Sequence, residues 1–386
     1  MPLREMNEFA PDDILPASLA LDGDSRVDER LRALTPDEWT LLAERARTHR
    51  VGPLLLRRSV AADAAHSMPA HVLASMREAA ETNEHRNRQR QGRVAAACRA
   101  LSDAAIPCLA LKGTYLVESV YPSRSLRQMW DSDLLVPRNA LARVEQILLR
   151  LGYGPPDRPP IEEDTSWNLH ISPFVMPEDG AWSSIIEIHW AIEQPTAPFD
   201  IDVDALWERS IEFNVCDTTV RALDANDLLL HLCLHAGFHH GFDVNLRHLL
   251  DLAWLFHHPP AELHWSTFVE RAHAARANRI GYVCLAAARL LFRLPLTDAA
   301  LDSLQPLRDD QDIIAVVAEH VWRNAKKPEP QWLQTRRKLN AWLKNATGQA
   351  QRDHDTPDSY VEIPMAHHAA RLSTEREQAS VPRSAT

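Results

Sequence analysis

Residues 108–137, CLALKGTYLVESVYPSRSLRQMWDSDLLVP, decide the fold of this chain. The stretch begins with a short apolar strand, continues through a Lys-Gly-Thr turn, a short helix and a loop, and ends in a second apolar strand that Asp131 and Asp133 open. Alternate residues of a strand point to the same face, so these two carboxylates should lie side by side. Paired carboxylates suit Mg²⁺, which keeps further positions for water and phosphate oxygens. The stretch therefore predicts a divalent-metal site at the start of a buried strand.

A third acid stands in a later apolar segment. In SSIIEIHWAI, residues 183–192, Glu187 is flanked by isoleucines, where an ionised side chain is costly unless it is paired or bound to a metal. His189 follows two residues later and should share the same face. If this strand lies beside that of Asp131 and Asp133, Glu187 completes the metal site. The alternative is that the two aspartates cap a strand and Glu187 pairs with an arginine.

The turn before the first helix offers groups for binding phosphates. Gly113 lets the backbone approach a ligand, and the helix that follows would point free N–H groups at an anion. Thr114 adds a hydroxyl and Lys112 a positive charge. Arg127, four residues before Asp131, either neutralises a phosphate or pairs with one of the acids. The Gly-x4-Gly-Lys-Ser/Thr spacing is absent, so the turn is not a P-loop.

Composition argues against several classes of protein. The 386 residues carry a formal net charge of -11, which disfavours binding of bulk nucleic acid through its phosphates. The five cysteines are scattered and form no Cys-x-x-Cys pair, so we expect free thiols rather than a zinc knuckle or a disulfide framework. The N-terminus lacks a signal-peptide pattern, and the sequence has no apolar run of membrane-spanning length. These features predict a cytoplasmic protein without a membrane partner.

The order of predicted elements divides the chain into regions. Thr35 should cap one N-terminal helix, and a long helix should run from about residue 69 to 105. A strand–helix–strand–helix–hairpin order then predicts a small α+β sheet with helices on one face. From about Val203 we expect helices, and the last residues lose apolar periodicity. The predicted regions are an N-terminal helical region (1–105), a sheet region (106–202), a C-terminal helical domain (203–346) and a flexible tail (347–386).

A stripe of histidines lies in the C-terminal half. His231, His235 and His239 are spaced by four, so they share one face of a helix, and His240 is adjacent. Imidazoles at this spacing can bind zinc, but they also serve as packing or hydrogen-bonding groups. A third possibility is that the stripe lines the active cleft and contacts nucleotide or acceptor alongside Arg247 and Asp251.

Several motifs together resemble a known family. In chain order they are LKGTYL, YPSRSLRQMWDSDLLV, a helix ending in LGY, IEIHW, HLCLHAGFH and LRHLLDLAWL. From about Trp39 to about Leu255 the chain is similar to the uncharacterised nucleotidyltransferases, which resemble the DNA polymerase β-type superfamily. The resemblance implies an α+β fold, with a small mixed-sheet nucleotidyltransferase palm flanked by N-terminal helices and a C-terminal helical domain. It also favours placing the histidine stripe in the active cleft.

The resemblance further implies roles for single residues. Asp131, Asp133 and Glu187 would bind the metal and act as the catalytic acids, and Gly113-Thr114 takes the place of the usual Gly-Ser. The residues expected to hold the nucleotide are Lys112, Gly113, Thr114, Arg127, His189 and His235.

The predicted activity is metal-dependent nucleotidyl transfer. With Mg²⁺ or Mn²⁺, a nucleoside monophosphate would pass from a nucleoside triphosphate, with ATP the expected one, to a hydroxyl of a small molecule or peptide. Resemblance to proteins encoded near peptide natural-product genes makes tailoring of such a peptide one candidate role. The alternatives are phosphoryl transfer at the same site, an antibiotic adenylyltransferase, and a non-catalytic binding or regulatory protein that keeps the palm fold.

Overall fold

The computed structural model describes residues 14–154, 169–176, 184–194, 196–260, 263–323 and 330–348. Their centre is a six-stranded mixed sheet with the order β3-β4-β2-β1-β6-β5. Its strands are β1 (Leu109–Ala110), β2 (Asp131–Leu135), β3 (His170–Met176), β4 (Ser184–His189), β5 (Ile211–Val215) and β6 (Thr218–Ala222). The pairs β2–β4 and β1–β6 are parallel, and the other neighbouring pairs are antiparallel. The α+β class predicted from the sequence is confirmed.

The register of β2 against β4 decides where the acids lie. Asp133 pairs with Glu187, and Leu135 pairs with His189. Paired residues of adjacent strands point to the same face, so Asp131, Asp133, Glu187 and His189 share one side of the sheet. Glu187 could complete the acidic site only if its strand lay beside that of Asp131 and Asp133. The pairing of β2 with β4 shows that it does.

The two faces of the sheet have different neighbours. Leu134, Ile186 and Ile188 pack with the second half of the helix Ala70–Asp103 and with the helix Leu141–Arg150. Leu109 and Leu135, on the other face, belong to the core formed with the C-terminal helices. The prediction of helices on one face alone is wrong, because both faces carry apolar side chains that must be covered.

The N-terminal region and the sheet connections are helical. The helix Pro36–Thr48 begins at a capping box in which the Thr35 hydroxyl accepts from the Glu38 N–H, and the Glu38 carboxylate accepts from the Thr35 N–H at 2.8 Å. The helices are α1 (Ile14–Leu19), α2 (Ser25–Arg32), α3 (Pro36–Thr48), α4 (Gly52–Ala61), α5 (Ala70–Asp103), α6 (Gly113–Tyr115) and α7 (Leu141–Arg150), with short 3-10 turns at Ala65–Ser67 and Arg138–Ala140.

The region after residue 202 adds strands as well as helices. The hairpin of β5 and β6 extends the sheet, so the prediction of helices alone from Val203 onward is wrong. Thr219 and Val220 are β-branched, but the two strands are too short for their alternation to stand out from a helical pattern. The helices are α8 (Val203–Arg209), α9 (Ala225–Leu234), α10 (Leu246–His257), α11 (Trp265–Ala274), α12 (Asn278–Phe292), α13 (Asp298–Asp302), α14 (Arg308–Arg323) and α15 (Pro330–Thr347).

Two further sequence predictions meet the structure here. Among the residues with described positions, no helix combines the length and apolarity needed to cross a membrane. All five cysteines are free thiols. Of the predicted flexible tail, residues 349–386 lie outside the described residues.

Candidate functional site

Three side chains from β2 and β4 converge at the centre of the site. The Nε2 atom of His189 lies 2.9 Å from Oδ1 of Asp133 and 3.7 Å from Oε2 of Glu187. One potential ligand atom from each of the three lies within 4.8 Å of the others. Asp133 and His189 are buried, and Glu187 is partly exposed. The geometry fits a single cation held by two carboxylates and an imidazole.

Asp131 occupies the outer edge of the same face. It lies two residues before Asp133 on β2, and it is partly exposed. Burial, followed by the charges of Asp133 and Glu187, raises the pKa of Asp131 to about 6. Its carboxylate is not part of the cluster of Asp133, Glu187 and His189. The crowding of negative charge at Asp131 would be relieved by a bound cation.

Lys112 contributes a positive charge to the acids. Its Nζ lies 3.3 Å from Oδ1 of Asp133. Burial alone would raise the pKa of Asp133, but Lys112 and His189 outweigh that effect and lower it below the usual range. The backbone of Lys112 has φ +40°, an uncommon conformation for a residue with a side chain. This conformation stands at the junction between β1 and the turn that carries Gly113.

Gly113 and Thr114 begin a very short helix. The α-helical part covers only Gly113–Tyr115 and continues as a π turn over Leu116–Val120. Both residues are buried, and the Thr114 carbonyl accepts a hydrogen bond from Nε2 of Gln91 at 3.1 Å. The buried Thr114 hydroxyl has no protein hydrogen-bond partner.

Arg127 lies beneath this turn and pairs with an acid. Its Nε and Nη2 each donate to Asp251 at 2.8 Å, and the hydroxyl of Tyr121 donates to the same carboxylate at 2.8 Å. A Cβ on Gly113 would lie 2.7 Å from Nη1 of Arg127, which explains why this position has no side chain. Of the two roles expected for Arg127, the structure shows pairing with an acid, and the acid is Asp251 rather than Asp131 or Asp133.

Arg247 is a further cation, which the sequence analysis associates with the active cleft together with Asp251. Its Nη1 lies 3.7 Å from Oδ2 of Asp251, and its Nη2 lies 3.3 Å from Nε2 of His248. Burial and the charge of Arg127 lower the pKa of Arg247 to about 10, although it stays charged at neutral pH. The positive charge of Arg247 also partly offsets the rise in the pKa of Asp131. Arg247 is four residues before Asp251 on one helix, and this spacing was the available signal.

His170 is a site residue that the sequence did not reveal. Its ring centroid lies 5.1 Å from that of His189. The two residues are direct partners in the pairing of β3 with β4. Burial and the neighbouring charge of His189 lower the pKa of His170. The negative charge of Glu187 opposes that effect. The third strand of the sheet thus contributes to the same face as the acids.

The histidine stripe faces this site from α9 and the π turn His235–His239 that extends it. Rings of His231 and His235 stack at 6.2 Å, and those of His235 and His239 stack at 5.6 Å. Burial, followed by the charge of Lys112, lowers the pKa of His231 and His235 well below the usual value. The influence of Lys112 on both rings indicates that the stripe and the acids border one region.

Residues 35–293 match the family model described as uncharacterised nucleotidyltransferase. The chain belongs to this family. Comparison with curated proteins gave no match, and comparison with solved structures gave none.

Membership in the uncharacterised nucleotidyltransferases covers the elements that build the site. The matched residues include β2 and β4 with their acids, the Lys112 turn and the histidine helix. The family supports general nucleotidyl transfer, and its members generally use a nucleoside triphosphate and a divalent metal. The acid and imidazole donors of Asp133, Glu187 and His189 fit such a metal.

Proposed function

We propose that this protein is a Mg²⁺- or Mn²⁺-dependent nucleotidyltransferase that moves a nucleoside monophosphate from ATP to a hydroxyl group. The observation that carries the proposal is the register of β2 and β4, which sets Asp133 directly beside Glu187 with Asp131 on the same face. Three acids close together on one side of the sheet are costly without cations to balance their charge. The family membership supplies the reaction class.

Asp131, Asp133 and Glu187 would hold the divalent ion. When bound, such an ion polarises the phosphoryl oxygens and stabilises charge that develops on them. His189 fits either as a nitrogen donor, which Mn²⁺ accepts more readily than Mg²⁺, or as the group that orients Asp133. Glu187 is partly exposed and would accept the proton of the acceptor hydroxyl.

The positive groups of the site would hold the triphosphate. Lys112 is placed beside Asp133 and can reach an anion bound there. Arg247 has a buried Nε without a protein hydrogen-bond partner, and it is close enough to influence Asp131. Arg127 would position Asp251 and, through it, Arg247. The backbone N–H groups at Gly113 and Thr114, rather than the buried Thr114 hydroxyl, suit the terminal phosphate.

The acceptor that we propose is a small molecule or a peptide, with tailoring of a peptide natural product as one such role. The acidic net charge of -11 supports this class over bulk nucleic acid. His235, whose ring is close enough to Lys112 to be affected by its charge, would contact the nucleotide or the acceptor.

The test measures transfer and binding with matched variants. Wild type, Asp133→Asn, Glu187→Gln and the exposed control Asp217→Asn are incubated with Mg²⁺, nucleoside triphosphates and candidate acceptors, and products are read by mass spectrometry. We expect pyrophosphate release and a mass gain of one nucleoside monophosphate, retained in the control and lost in the site variants. Full transfer by Asp133→Asn, with its fold intact by circular dichroism, would refute the assignment. A mass gain of one phosphate would assign phosphoryl transfer instead.

One observation favours a second candidate, a non-catalytic binding protein that keeps the palm fold. Lys112 already neutralises Asp133, and Asp251 already neutralises Arg127. A site that is internally paired in this way has less need of a metal. Calorimetric titration with Mg²⁺ and a non-hydrolysable ATP analogue separates the two: binding that requires Mg²⁺ supports the enzyme, and absence of binding supports the second candidate.

A further inference from the structure

A second group of potential metal ligands shares no residue with the cluster of Asp133, Glu187 and His189. His235, His239 and His240 each place one ring nitrogen so that the three atoms lie within 4.8 Å of one another. All three side chains are half-buried, which leaves them reachable from solvent. No carboxylate belongs to this cluster, in contrast to the cluster of Asp133, Glu187 and His189.

The local backbone explains why these histidines converge. Over His235–His239 the helix widens into a π turn, and the N–H of His240 donates to the carbonyl of His235 at 3.1 Å. In a regular α-helix, residues five apart do not share a face, but the wider turn brings His240 beneath His235. The π turn thus adds His240 to the stripe that spacing by four predicts. Such turns occur frequently at functional sites.

The one nitrogen separation that a hydrogen-bond contact defines, between His235 and His240, matches a tetrahedral metal centre. Nε2 of His235 and Nε2 of His240 lie 3.2 Å apart. Two imidazole nitrogens on a tetrahedral Zn²⁺, each at about 2.0–2.1 Å, are separated by roughly 3.3 Å. These two nitrogens therefore already have the spacing that a shared ion requires, although a hydrogen bond between the two rings gives the same distance.

A carboxylate is placed to orient the third ring. Oε1 of the buried Glu193 lies 4.0 Å from Nδ1 of His239. Histidine ligands commonly donate their other ring N–H to a carboxylate, which fixes the ring and raises the basicity of the coordinating nitrogen. At 4.0 Å the two groups are not hydrogen-bonded, but a small movement of either side chain would let Nδ1 of His239 donate to Glu193 and leave Nε2 for the metal.

We propose that His235, His239 and His240 bind a transition-metal ion, with Zn²⁺ the best fit, at a site distinct from the acids of the sheet. Three neutral imidazoles suit Zn²⁺, whereas Mg²⁺ prefers the oxygens of Asp133 and Glu187. Three protein ligands leave a fourth position for water or for an oxygen of a substrate. This proposal does not depend on nucleotidyl transfer.

The test uses the full chain, stripped with a chelator, reloaded with Zn²⁺ and dialysed against a weak chelator. Metal content is measured by mass spectrometry, and X-ray absorption at the zinc edge reports the number of imidazole ligands. The variants are His240→Gln, His239→Gln and Glu193→Gln. His71→Gln, exposed on α5, is the matched histidine control, and Asp133→Asn removes the competing acid cluster.

We expect one retained Zn²⁺ with about three imidazoles in wild type, in His71→Gln and in Asp133→Asn. His239→Gln and His240→Gln should weaken binding by about 100-fold or more, and Glu193→Gln by about 10–100-fold. Circular dichroism checks that each variant is folded, and the two ligand variants serve as replacements for each other if one is not.

Other results would overturn the proposal. A wild-type protein that loses all Zn²⁺ on dialysis has no such site. Zn²⁺ that is lost from Asp133→Asn but kept by both folded histidine variants belongs to the acid cluster. Histidine variants that unfold more easily but keep full Zn²⁺ binding would show that the rings only hydrogen-bond to one another.

Discussion

The buried pair of Arg127 and Asp251 yields a quantitative prediction for Asp251→Asn. The side chains of Arg127 and Asp251 are 5% and 2% exposed, and two hydrogen bonds of 2.8 Å join them. The substitution keeps the shape of the side chain but removes its charge. Arg127 then stays buried without its paired acid, and the partly exposed Arg247 loses the same neighbour. Breaking one partner of a buried pair costs about 3–5 kcal/mol, which is the expected loss in the free energy of unfolding.

Two comparisons isolate this effect. Tyr121→Phe removes only the hydroxyl that donates to Asp251, and it should cost about 1 kcal/mol. Asp200→Asn removes the acid of the pair Arg276–Asp200, whose atoms also lie 2.8 Å apart but whose side chains are both 64% exposed. Water screens this second pair, so its loss should cost about 0–1 kcal/mol.

Urea unfolding followed by tryptophan fluorescence measures all three variants. Trp254, whose ring centroid is 4.8 Å from that of Tyr121, reports on the region directly. The reasoning fails if Asp251→Asn costs no more than Asp200→Asn. It also fails if Arg127→Gln combined with Asp251→Asn costs the full sum of the single variants, since contacting residues should show a coupling of about 0.5–3 kcal/mol.

Two other perturbations follow from the same structure. Gly113→Ala places a Cβ 2.7 Å from Nη1 of Arg127 and 3.3 Å from Cε of Met129. Because Asp251 holds Arg127 in place, the variant should lose about 1–3 kcal/mol of unfolding free energy. An unchanged midpoint of urea unfolding would contradict this. Burial lowers the pKa of His49 to about 4, below the unfolded value of about 6.5, so the unfolded chain binds more protons and stability falls as the pH drops from about 6.5 to about 4. The contribution of His49 to that fall is about 3 kcal/mol, and His49→Gln should show a correspondingly shallower loss of stability when urea unfolding is compared at pH 7 and pH 4.5.

The central strands could be predicted because chemistry and pattern agree there. Asp131 and Asp133 open an apolar strand two residues apart, and Glu187 interrupts an apolar strand of its own, so the acids indicate both the strands and their shared face. The structure places Asp133 and Glu187 side by side, as that interpretation required. The metal and phosphate roles of these residues stay predictions.

The partner of Arg127 could not be predicted in the same way. Asp251 lies far along the chain on a helix, and no periodicity links a loop arginine to it. The hairpin of β5 and β6 was not predicted for a different reason. Strands of five residues have too few positions to distinguish the two-residue period of a strand from the 3.6-residue period of a helix. His240 joined the cluster only through a π turn, which helical spacing does not encode. The division of the chain into four regions stays a proposal.

The short strand β1 has a consequence for how the chain is made. Leu109 and Ala110 lie between β2 and β6, and their parallel partners are Arg221 and Ala222. During synthesis, β2, β3 and β4 can pair before β6 leaves the ribosome. Until β6 is made, the edge of β1 that will bind it stays unpaired. Such long-range pairing slows folding, and an open edge invites association with other chains. A fragment that ends before residue 218 would keep that edge unpaired and should aggregate during expression.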